Sequence, residues 1–101
     1  MRQIHHPPLD QIELCDVMYA LSDPARLEIV RCLAHERRAL TCGEINRDRP
    51  KSSMSHHFKI LREAGLIETK ILGKEHRNTL RTAELEARFP GLIKALVRLL
   101  R

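Results

Sequence analysis

The 101-residue chain is poor in aromatic residues and in glycine. Aromatic residues make up 3% of the sequence, tryptophan is absent, and there are 4 glycines. A core without large rings has to be built mostly from leucine, isoleucine, valine and alanine, and scarce glycine favours helices over many strands and turns. The length suits one core, so we expect residues 1–101 to form a single domain.

Long apolar segments are missing as well. No apolar run approaches the ~20 residues that a membrane-spanning helix requires. The first ten residues, MRQIHHPPLD, lack the apolar stretch of a secretory signal peptide. We therefore expect a cytoplasmic protein with no membrane partner.

Groups typical of catalysis are also lacking. No nucleophile–base pair, glycine-rich phosphate loop or pair of carboxylates stands at an informative spacing in the sequence. His56 has no acidic residue three or four positions away on either side. We predict that the protein is not an enzyme.

Cysteine is sparse and unpaired. Cys15, Cys32 and Cys42 form no Cys-x-x-Cys pair and are odd in number. This pattern argues against a disulfide framework and against a zinc module. Reduced thiols are the expectation, with no cofactor.

Positive charge is concentrated in the middle and at the end of the chain. The net charge of +5 arises from 5 Lys/Arg against 7 Asp/Glu over residues 1–46, 8 against 4 over 47–77, and 5 against 2 over 78–101. Such an excess is typical of a surface that meets a polyanion. An ordinary solvated surface would give the same count, so charge alone does not decide between them.

The first half of the chain predicts three helices. The HPP sequence ends a flexible arm over 1–8, and apolar residues at helical spacing predict a helix over 9–21. Asp23, followed by proline, is suited to cap a second helix. Thr41 and Glu44 have the spacing of a capping box, which predicts the start of a short third helix.

The second half predicts a fourth helix and a hairpin. Residues 46–50, NRDRP, form a tight connection into a helix over 52–64, and Gly65 supplies its stop. Two short extended stretches within 66–81 form a hairpin with Gly73 in its turn. The chain is helical again after the hairpin.

This order of elements predicts a mainly α fold with a small β-hairpin, the winged helix-turn-helix. Its helix-turn-helix covers 41–64 and its wing covers 66–81. The helices over 9–21 and 82–101 remain at the two ends.

Two adjacent histidines in the fourth helix have different expected roles. At about 100° per residue, Met54, Phe58 and Leu61 define the apolar side of the helix. His56 lies about 150° from the centre of that side and His57 only about 50°. We expect His56 to point outward and His57 to lie at the edge of the core in a structural hydrogen bond.

The outward side of the fourth helix and the hairpin form a candidate DNA-binding surface. Small hydroxyl residues allow close approach to a major groove, and cations suit phosphates. The alternative is a winged-helix protein–protein module that does not bind DNA, for which an apolar or acidic face is expected. The candidate DNA-binding residues are Lys51, Ser52, Ser53, Ser55, His56, Lys59, Arg62, Lys70, Lys74, His76 and Arg77.

The runs ALSDPARLEIVRCLA and SSMSHHFKILREAGLIETKILGKEHRNTLR closely resemble the ArsR-type (ArsR/SmtB) winged-helix transcriptional regulators, over about residues 14–81. The closing ARFPGL resembles a branch of the family without an obvious metal motif. The resemblance implies a homodimeric repressor that binds a palindromic operator in double-stranded DNA and is released by a signal. It implies that the helix from Ser52 enters the major groove. The family often has serine at the position of Pro50, a departure that places the helix start at Pro50 or Lys51.

The terminal segment supports a dimer independently of the resemblance. We predict that Thr82 caps its helix and that the helix breaks near Pro90. Its apolar band is too wide for one small core to cover, and together with the helix over 9–21 it is suited to an isologous two-fold interface. A fully intramolecular core is the alternative. The band consists of Leu92, Ile93, Leu96, Val97, Leu99 and Leu100.

The signal is less well defined by the sequence. Metal-sensing relatives use paired thiolates around the third helix or Asp and His ligands on the terminal helices. Here the third helix has only Cys42, and 82–101 contains no His or Asp, so we predict no metal site. Cys42 stands at a helix start, where the dipole favours a reactive thiolate, and we hypothesise that its oxidation weakens DNA binding. An unidentified small effector is the other expected signal.

Overall fold

A computed structural model of the protein describes residues 4–36, 38–45 and 49–100. The described part contains six α-helices and a three-stranded antiparallel sheet in the strand order β1-β3-β2. The succession of α2, α3, α4 and the β2–β3 hairpin confirms the predicted winged helix-turn-helix. The elements are a 3-10 turn (Leu9–Gln11), α1 (Leu14–Ala20), α2 (Pro24–Glu36), β1 (Leu40–Thr41), α3 (Cys42–Ile45), α4 (Lys51–Glu63), β2 (Ile67–Leu72), β3 (Glu75–Leu80), α5 (Thr82–Arg88) and α6 (Leu92–Leu99).

Both predicted caps in the first half of the chain are confirmed. The Ala25 N–H donates to Asp23 Oδ1 at 2.8 Å, and α2 begins at Pro24. The Thr41 N–H donates to Glu44 Oε1 at 2.9 Å, and the Glu44 N–H donates to Thr41 Oγ1 at 3.2 Å. These reciprocal bonds satisfy backbone donors that the first turn of α3 leaves without helical partners.

Helix α4 begins at Lys51 with Pro50 at its N-cap. This start is one residue before the range of 52–64 and agrees with the start at Pro50 or Lys51 that the departure at Pro50 predicted. Residues 46–48 of the predicted tight connection lie outside the described residues. At the other end, Gly65 has a φ of +90°, and the Leu66 N–H donates to Leu61 O at 3.0 Å, which ends the helix. The predicted glycine stop is confirmed.

The hairpin has the expected turn, with Gly73 at a φ of +64°. A third strand, β1, was not predicted, and it pairs Leu40 with Asn78 on β3. The buried Asn78 amide donates to Leu40 O at 3.1 Å and accepts from Thr69 Oγ1 at 2.6 Å. One amide therefore ties all three strands together.

The core is mostly aliphatic, as the composition predicted, with Phe58 as a buried aromatic residue. It lies between α2, α4, the base of the sheet and the terminal helices, and none of the helices in the described part of the chain has both the length and the apolar character needed to cross a bilayer. The buried apolar residues are Ile12, Val17, Ala20, Leu21, Ala25, Ile29, Val30, Leu33, Leu40, Met54, Phe58, Leu61, Ala64, Leu66, Ile67, Leu85 and Ile93.

The predicted helix over 9–21 is wrong in its first half. After the 3-10 turn, Ile12 adopts an extended conformation with φ −79° and ψ 118°, and α1 starts only at Leu14. Ile12 is 1% exposed and lies against Gly65, where a Cβ would be 2.6 Å from Ile12 Cγ1. Interrupting the helix places this side chain in the core, a gain that local periodicity does not reveal.

The predicted flexible arm over 1–8 is corrected at His6 and Pro7, which bond to strand β2 and to the residue after β3. The Thr69 N–H donates to His6 Nε2 at 2.9 Å, and Arg81 Nη1 donates to Pro7 O at 2.8 Å. Burial lowers the pKa of His6, which keeps its imidazole neutral and able to accept. The arm is ordered because two donors of the sheet region need acceptors. Residues 1–3 lie outside the described residues.

The terminal segment breaks where predicted but is not capped as predicted. Thr82 is the first residue of α5, and Arg81 occupies the N-cap, so the prediction of Thr82 as N-cap is wrong. Arg81 instead donates to both carboxylate oxygens of Glu84 at 3.0 and 2.7 Å. Pro90 separates α5 from α6, where Glu86 accepts from the Gly91 N–H at 3.1 Å and thus caps the following helix. Arg101 lies outside the described residues.

Candidate nucleic-acid interface

The outward face of α4 is polar and solvent-exposed. Its apolar face, formed by Met54, Phe58 and Leu61, is buried in the core. This geometry presents hydroxyl, imidazole and ammonium groups along one side of a helix whose other side is fixed. The exposed candidate residues of α4 are Lys51, Ser52, Ser53, Ser55, His56 and Lys59.

Two of the serine hydroxyls are engaged with their own helix. Ser53 Oγ donates to Pro50 O at 3.0 Å, and Ser55 Oγ donates to Lys51 O at 3.0 Å. Each oxygen keeps its lone pairs, and each hydroxyl can rotate toward an acceptor on a ligand. The first turn of α4 therefore carries small polar groups that do not obstruct the approach of a large partner.

The two adjacent histidines separate as predicted. His56 is exposed, whereas His57 is half-buried and its Nδ1 accepts a hydrogen bond from Arg26 Nη1 at 3.1 Å. A guanidinium can only donate, so His57 is the neutral tautomer protonated at Nε2. Burial lowers the pKa of His57, with Arg26 contributing and Asp23 opposing.

Arg26 links the face of α4 that holds His57 to the end of α1. It is 6% exposed, and its Nε donates to Ala20 O at 2.7 Å while its guanidinium lies 5.5 Å from the centre of the Tyr19 ring. A buried cation with these acceptors holds the C-terminus of α1 and the middle of α4 in one arrangement. No feature of the sequence assigned Arg26 this contact.

Arg62 differs from the other candidate cations of α4. It is half-buried, and desolvation lowers its pKa from the ordinary value. Glu63 partly opposes that shift. The structure therefore places Arg62 beside the core rather than on the open face with Lys59.

The hairpin brings the four wing residues to an exposed surface. Lys70 and Arg77 are directly opposite each other in the β2–β3 register, and Lys74 lies in the turn. Each of the opposed cations has an acidic neighbour: Lys70 Nζ is 3.8 Å from Glu68, and Arg77 Nε is 3.2 Å from Glu75. His76 is also exposed, and as the partner of Ile71 in the register it lies on the other face of the hairpin.

The sequence interpretation missed two groups near this surface. Ile71 and Leu72 are 41% and 52% exposed near the tip of the hairpin. They are consecutive and therefore point to opposite faces of the strand, and the sequence alone did not show that both faces are exposed there. Arg49 is exposed directly before Pro50 at the start of α4. Its position next to the basic run from Lys51 was a signal that could have identified it.

The cysteines do not form a cluster. Cys15 is exposed, while Cys32 and Cys42 are half-buried, and burial raises the pKa of the Cys32 thiol. Cys42 is the first residue of α3, and Asn78 Nδ2 lies 3.6 Å from its Sγ. Over residues 4–36, 38–45 and 49–100, no group of three or more His, Cys, Asp or Glu side chains is placed to hold a metal ion.

Known proteins are similar to this chain in both sequence and fold. Residues 21–70 match a family described as a helix-turn-helix domain. The chain is 37% identical over 89 residues to the uncharacterized HTH-type transcriptional regulator YceK of Bacillus subtilis (strain 168). The aligned residues cover 86% of this chain and 88% of the relative.

Two solved structures are similar over most of the chain. HlyU from Vibrio cholerae N16961 has a TM-score of 0.70 at 28% identity, covering 84% of this chain and 88% of that one. The transcriptional repressor BigR from Xylella fastidiosa has a TM-score of 0.65 at 25% identity, covering 85% and 84%.

The fold, the exposed face of α4 and these similarities define a winged helix-turn-helix transcriptional regulator. Within that class the chain belongs to the ArsR-type (ArsR/SmtB) family, which confirms the resemblance seen in the sequence. Its relatives regulate transcription and are not enzymes, which agrees with the prediction of no catalytic function.

Proposed function

We propose that this regulator is a cytoplasmic homodimeric repressor that binds a palindromic operator through α4 and the wing. The observation that carries the proposal is the exposed polar face of α4 on a helix whose opposite face is buried in the core. A helix of this kind fits the major groove, where base edges are read. The basic hairpin beside it fits the adjacent backbone or minor groove.

The residues of α4 divide into two proposed roles. Ser52, Ser55 and His56, near the start of the helix, are suited to hydrogen bonds with base edges or nearby phosphates. Lys51 and Lys59 are suited to phosphates, which give affinity without sequence information. Ser53 and the half-buried Arg62 flank this set.

The wing supplies the remaining phosphate contacts in this proposal. They come from Lys70, Lys74, His76 and Arg77, all exposed on the hairpin. The alternative function, a module that binds only proteins, expects an apolar or acidic face in place of the hydroxyl and ammonium groups of α4.

Exposed apolar side chains on both terminal elements support the dimer. Leu14 and Met18 stand one turn apart on α1 at 48% and 46% exposed, and Leu99 on α6 is 79% exposed. A contiguous apolar patch on the surface of a small protein is typical of an interaction site. A two-fold dimer would set two α4 helices about 34–36 Å apart, one turn of DNA.

The repressor role rests on the physical consequence of occupancy and on one relative. A dimer seated on an operator within a promoter excludes polymerase from the same stretch of DNA. BigR, which is 25% identical to this chain, is named as a transcriptional repressor.

Binding to duplex DNA from the regulator's own promoter region tests the proposal. In a salt titration, Lys59→Ala should weaken binding of all sequences to a similar extent and reduce the slope of log K against log salt by about 1. Ser55→Ala and His56→Ala should instead change the ranking of operator variants. Arg31→Ala is the matched control, since Arg31 lies on α2 in an ion pair with Glu28. Unchanged duplex binding in Lys59→Ala, Ser55→Ala and His56→Ala would contradict the assignment of α4.

The dimer is tested by sedimentation equilibrium. Leu99→Glu should raise the dimer dissociation constant at least tenfold, because it places a charge within an apolar contact. Leu72→Glu is the control, since that leucine is 52% exposed but lies on the wing. Equal dissociation constants for the two variants would place the interface elsewhere.

We also propose that Cys42 is a thiol sensor within this function. Its Sγ lies 3.6 Å from Asn78 Nδ2, and Asn78 ties the three strands together. Oxidation by peroxide to the sulfenic acid adds an oxygen at this contact, which would displace the amide and shift the wing against α3. Operator binding by the wild type should weaken after peroxide treatment, and Cys42→Ser should not respond. An identical response in both proteins would exclude Cys42.

A further inference from the structure

A groove beside α6 combines an apolar floor with a cationic rim. It is an open groove between the end of α2, strand β3 and α6, with a volume of about 740 Å³. This volume falls within the ~300–1,000 Å³ that is common for small-molecule sites. Its floor consists of Leu33, Leu80, Ile93 and Val97.

The groove takes Ile93 and Val97 from the apolar band that the sequence predicted for the dimer, and it lies on a different face of α6 from the exposed Leu99. At about 100° per residue, Ile93 and Val97 lie about 110° around the helix from the line through Leu92, Leu96 and Leu99. The exposed Leu99 is not part of the groove lining. One helix therefore has two apolar faces with different surroundings.

The charges at the groove favour an anion. Lys94 and Arg98 stand one turn apart at its edge, and in the described part of the chain neither has an acidic side chain within 4.0 Å. The single carboxylate in the lining, Glu86, accepts from the Gly91 and Ile93 N–H groups at 3.1 Å each and from the Lys94 N–H at 3.4 Å, which directs its charge at the start of α6. These backbone hydrogen bonds lower the pKa of Glu86, and the charge of Lys94 makes the smallest contribution. Arg38 adds a third cation, although it pairs with Glu44 at 3.0 Å.

We propose that this groove binds an amphipathic carboxylate, with the acyl chain on the apolar floor and the carboxylate beside Lys94 and Arg98. A purely polar anion such as free phosphate fits the floor poorly, because the bound anion would leave the apolar surface in water. The rim disfavours cationic amphiphiles through like-charge repulsion. Burial of methylenes and pairing of one charge are satisfied together only by an apolar chain with an anionic end.

The position of the groove gives such a ligand a route to DNA affinity. Strand β3 belongs to the wing, and α6 carries part of the proposed dimer surface, so an acyl chain between them contacts both. This regulatory consequence rests on the proposed function, whereas binding of the carboxylate does not.

Isothermal titration of the full chain with octanoate and decanoate, below their micelle concentrations, tests the site. From octanoate to decanoate, the affinity should rise about fourfold for each added methylene, the equivalent of ~0.8 kcal/mol. Decanol and decyltrimethylammonium should bind at least tenfold more weakly than decanoate. Equal binding of all three ten-carbon probes, or no binding of decanoate, would overturn the proposal.

Variants place the ligand in this groove. Lys94→Glu should weaken decanoate at least tenfold, and Val97→Trp should abolish binding by filling the floor, with circular dichroism confirming that each variant is folded. Arg31→Glu reverses a charge on α2 outside the groove lining and should bind decanoate as the wild type does. Unchanged affinity in Lys94→Glu overturns the proposal. If Val97→Trp no longer dimerised, the groove would be a contact with a second copy of the chain, and this result would also overturn the proposal.

Operator binding separates this inference from the proposed function. Decanoate should shift the operator affinity of the wild type and leave that of Lys94→Glu unchanged. Failure of the ligand-free protein to bind duplex DNA would overturn the proposed function. The isothermal titration with decanoate would still test whether the groove binds the carboxylate.

Discussion

The two halves of α4 lie in different environments. Among residues 51–56, Met54 alone is buried, and two of the serine hydroxyls bond only to their own helix. The second half is held by Phe58, Leu61 and the glycine stop, where Gly65 lies against Ile12. Substitutions of the buried residues in the second half should therefore change the stability of the fold, while those of the exposed residues in the first half should change DNA recognition at nearly constant stability.

The largest effect is expected at Gly65. Gly65→Ala combines a left-handed φ of +90° with a Cβ only 2.6 Å from Ile12 Cγ1, and it should lower the free energy of unfolding by about 3 kcal/mol. Urea denaturation followed by circular dichroism measures it. Gly73→Ala is a matched control, because Gly73 has a φ of +64° and nothing within 4 Å of its Cβ position. Equal losses in the two variants would show that contact with Ile12 contributes nothing.

An intermediate effect is expected where the two halves meet. Arg26→Ala removes the buried donor to Ala20 O and to His57, and it should destabilise the fold by about 2 kcal/mol. Arg31→Ala, which breaks an exposed ion pair, should cost no more than about 0.5 kcal/mol. If the two arginine variants had equal stability, the anchoring role of Arg26 would be wrong.

A smaller effect should appear as a pH dependence of stability. Burial lowers the pKa of His57 below its ordinary value of 6.5, so the unfolded chain binds the proton more readily. The contribution of neutral His57 to the free energy of unfolding is fully present above pH 6.5, and it is lost as the pH falls from there through the pKa of His57 in the folded state. His57→Gln keeps an acceptor for Arg26 without titrating, and it should lose less stability than the wild type between pH 7.5 and 5.5. His56→Gln should retain the wild-type dependence of stability on pH. A shallower dependence in that variant would contradict the assignment of the effect to His57.

The smallest stability effects are expected in the first half. Ser52→Ala and Ser55→Ala remove exposed hydroxyls and should change the free energy of unfolding by less than about 0.5 kcal/mol. The same variants should change preference among operator sequences in a competition assay. A large loss of stability without a change of preference would reverse the contrast between the two halves.

Local patterns in the sequence predicted much of this architecture. The caps at Asp23 and Thr41, the stop at Gly65 and the different positions of His56 and His57 all follow from residues within a few positions of one another. Helical periodicity and backbone conformational preferences decide such features. The candidate surface was therefore recognisable in outline.

Contacts between distant segments were not predictable in the same way. The two-residue strand β1 exists because it pairs with β3 and is tied by Asn78, 38 positions away from Leu40. Ile12 leaves its helix for a place against Gly65, and Arg26 reaches His57 across 31 positions. No local pattern encodes these partners, since the gain appears only when the elements have packed.

The contact of His6 with the sheet has a consequence for how copies of the protein meet. Strand β2 is at the edge of the sheet, and the Thr69 N–H would be available to a strand from another molecule. The imidazole of His6 takes that donor, and the two prolines after it have no N–H groups with which to begin a new ladder. The arm thus covers the sheet edge at Thr69 without creating another edge, which disfavours edge-to-edge pairing at that point.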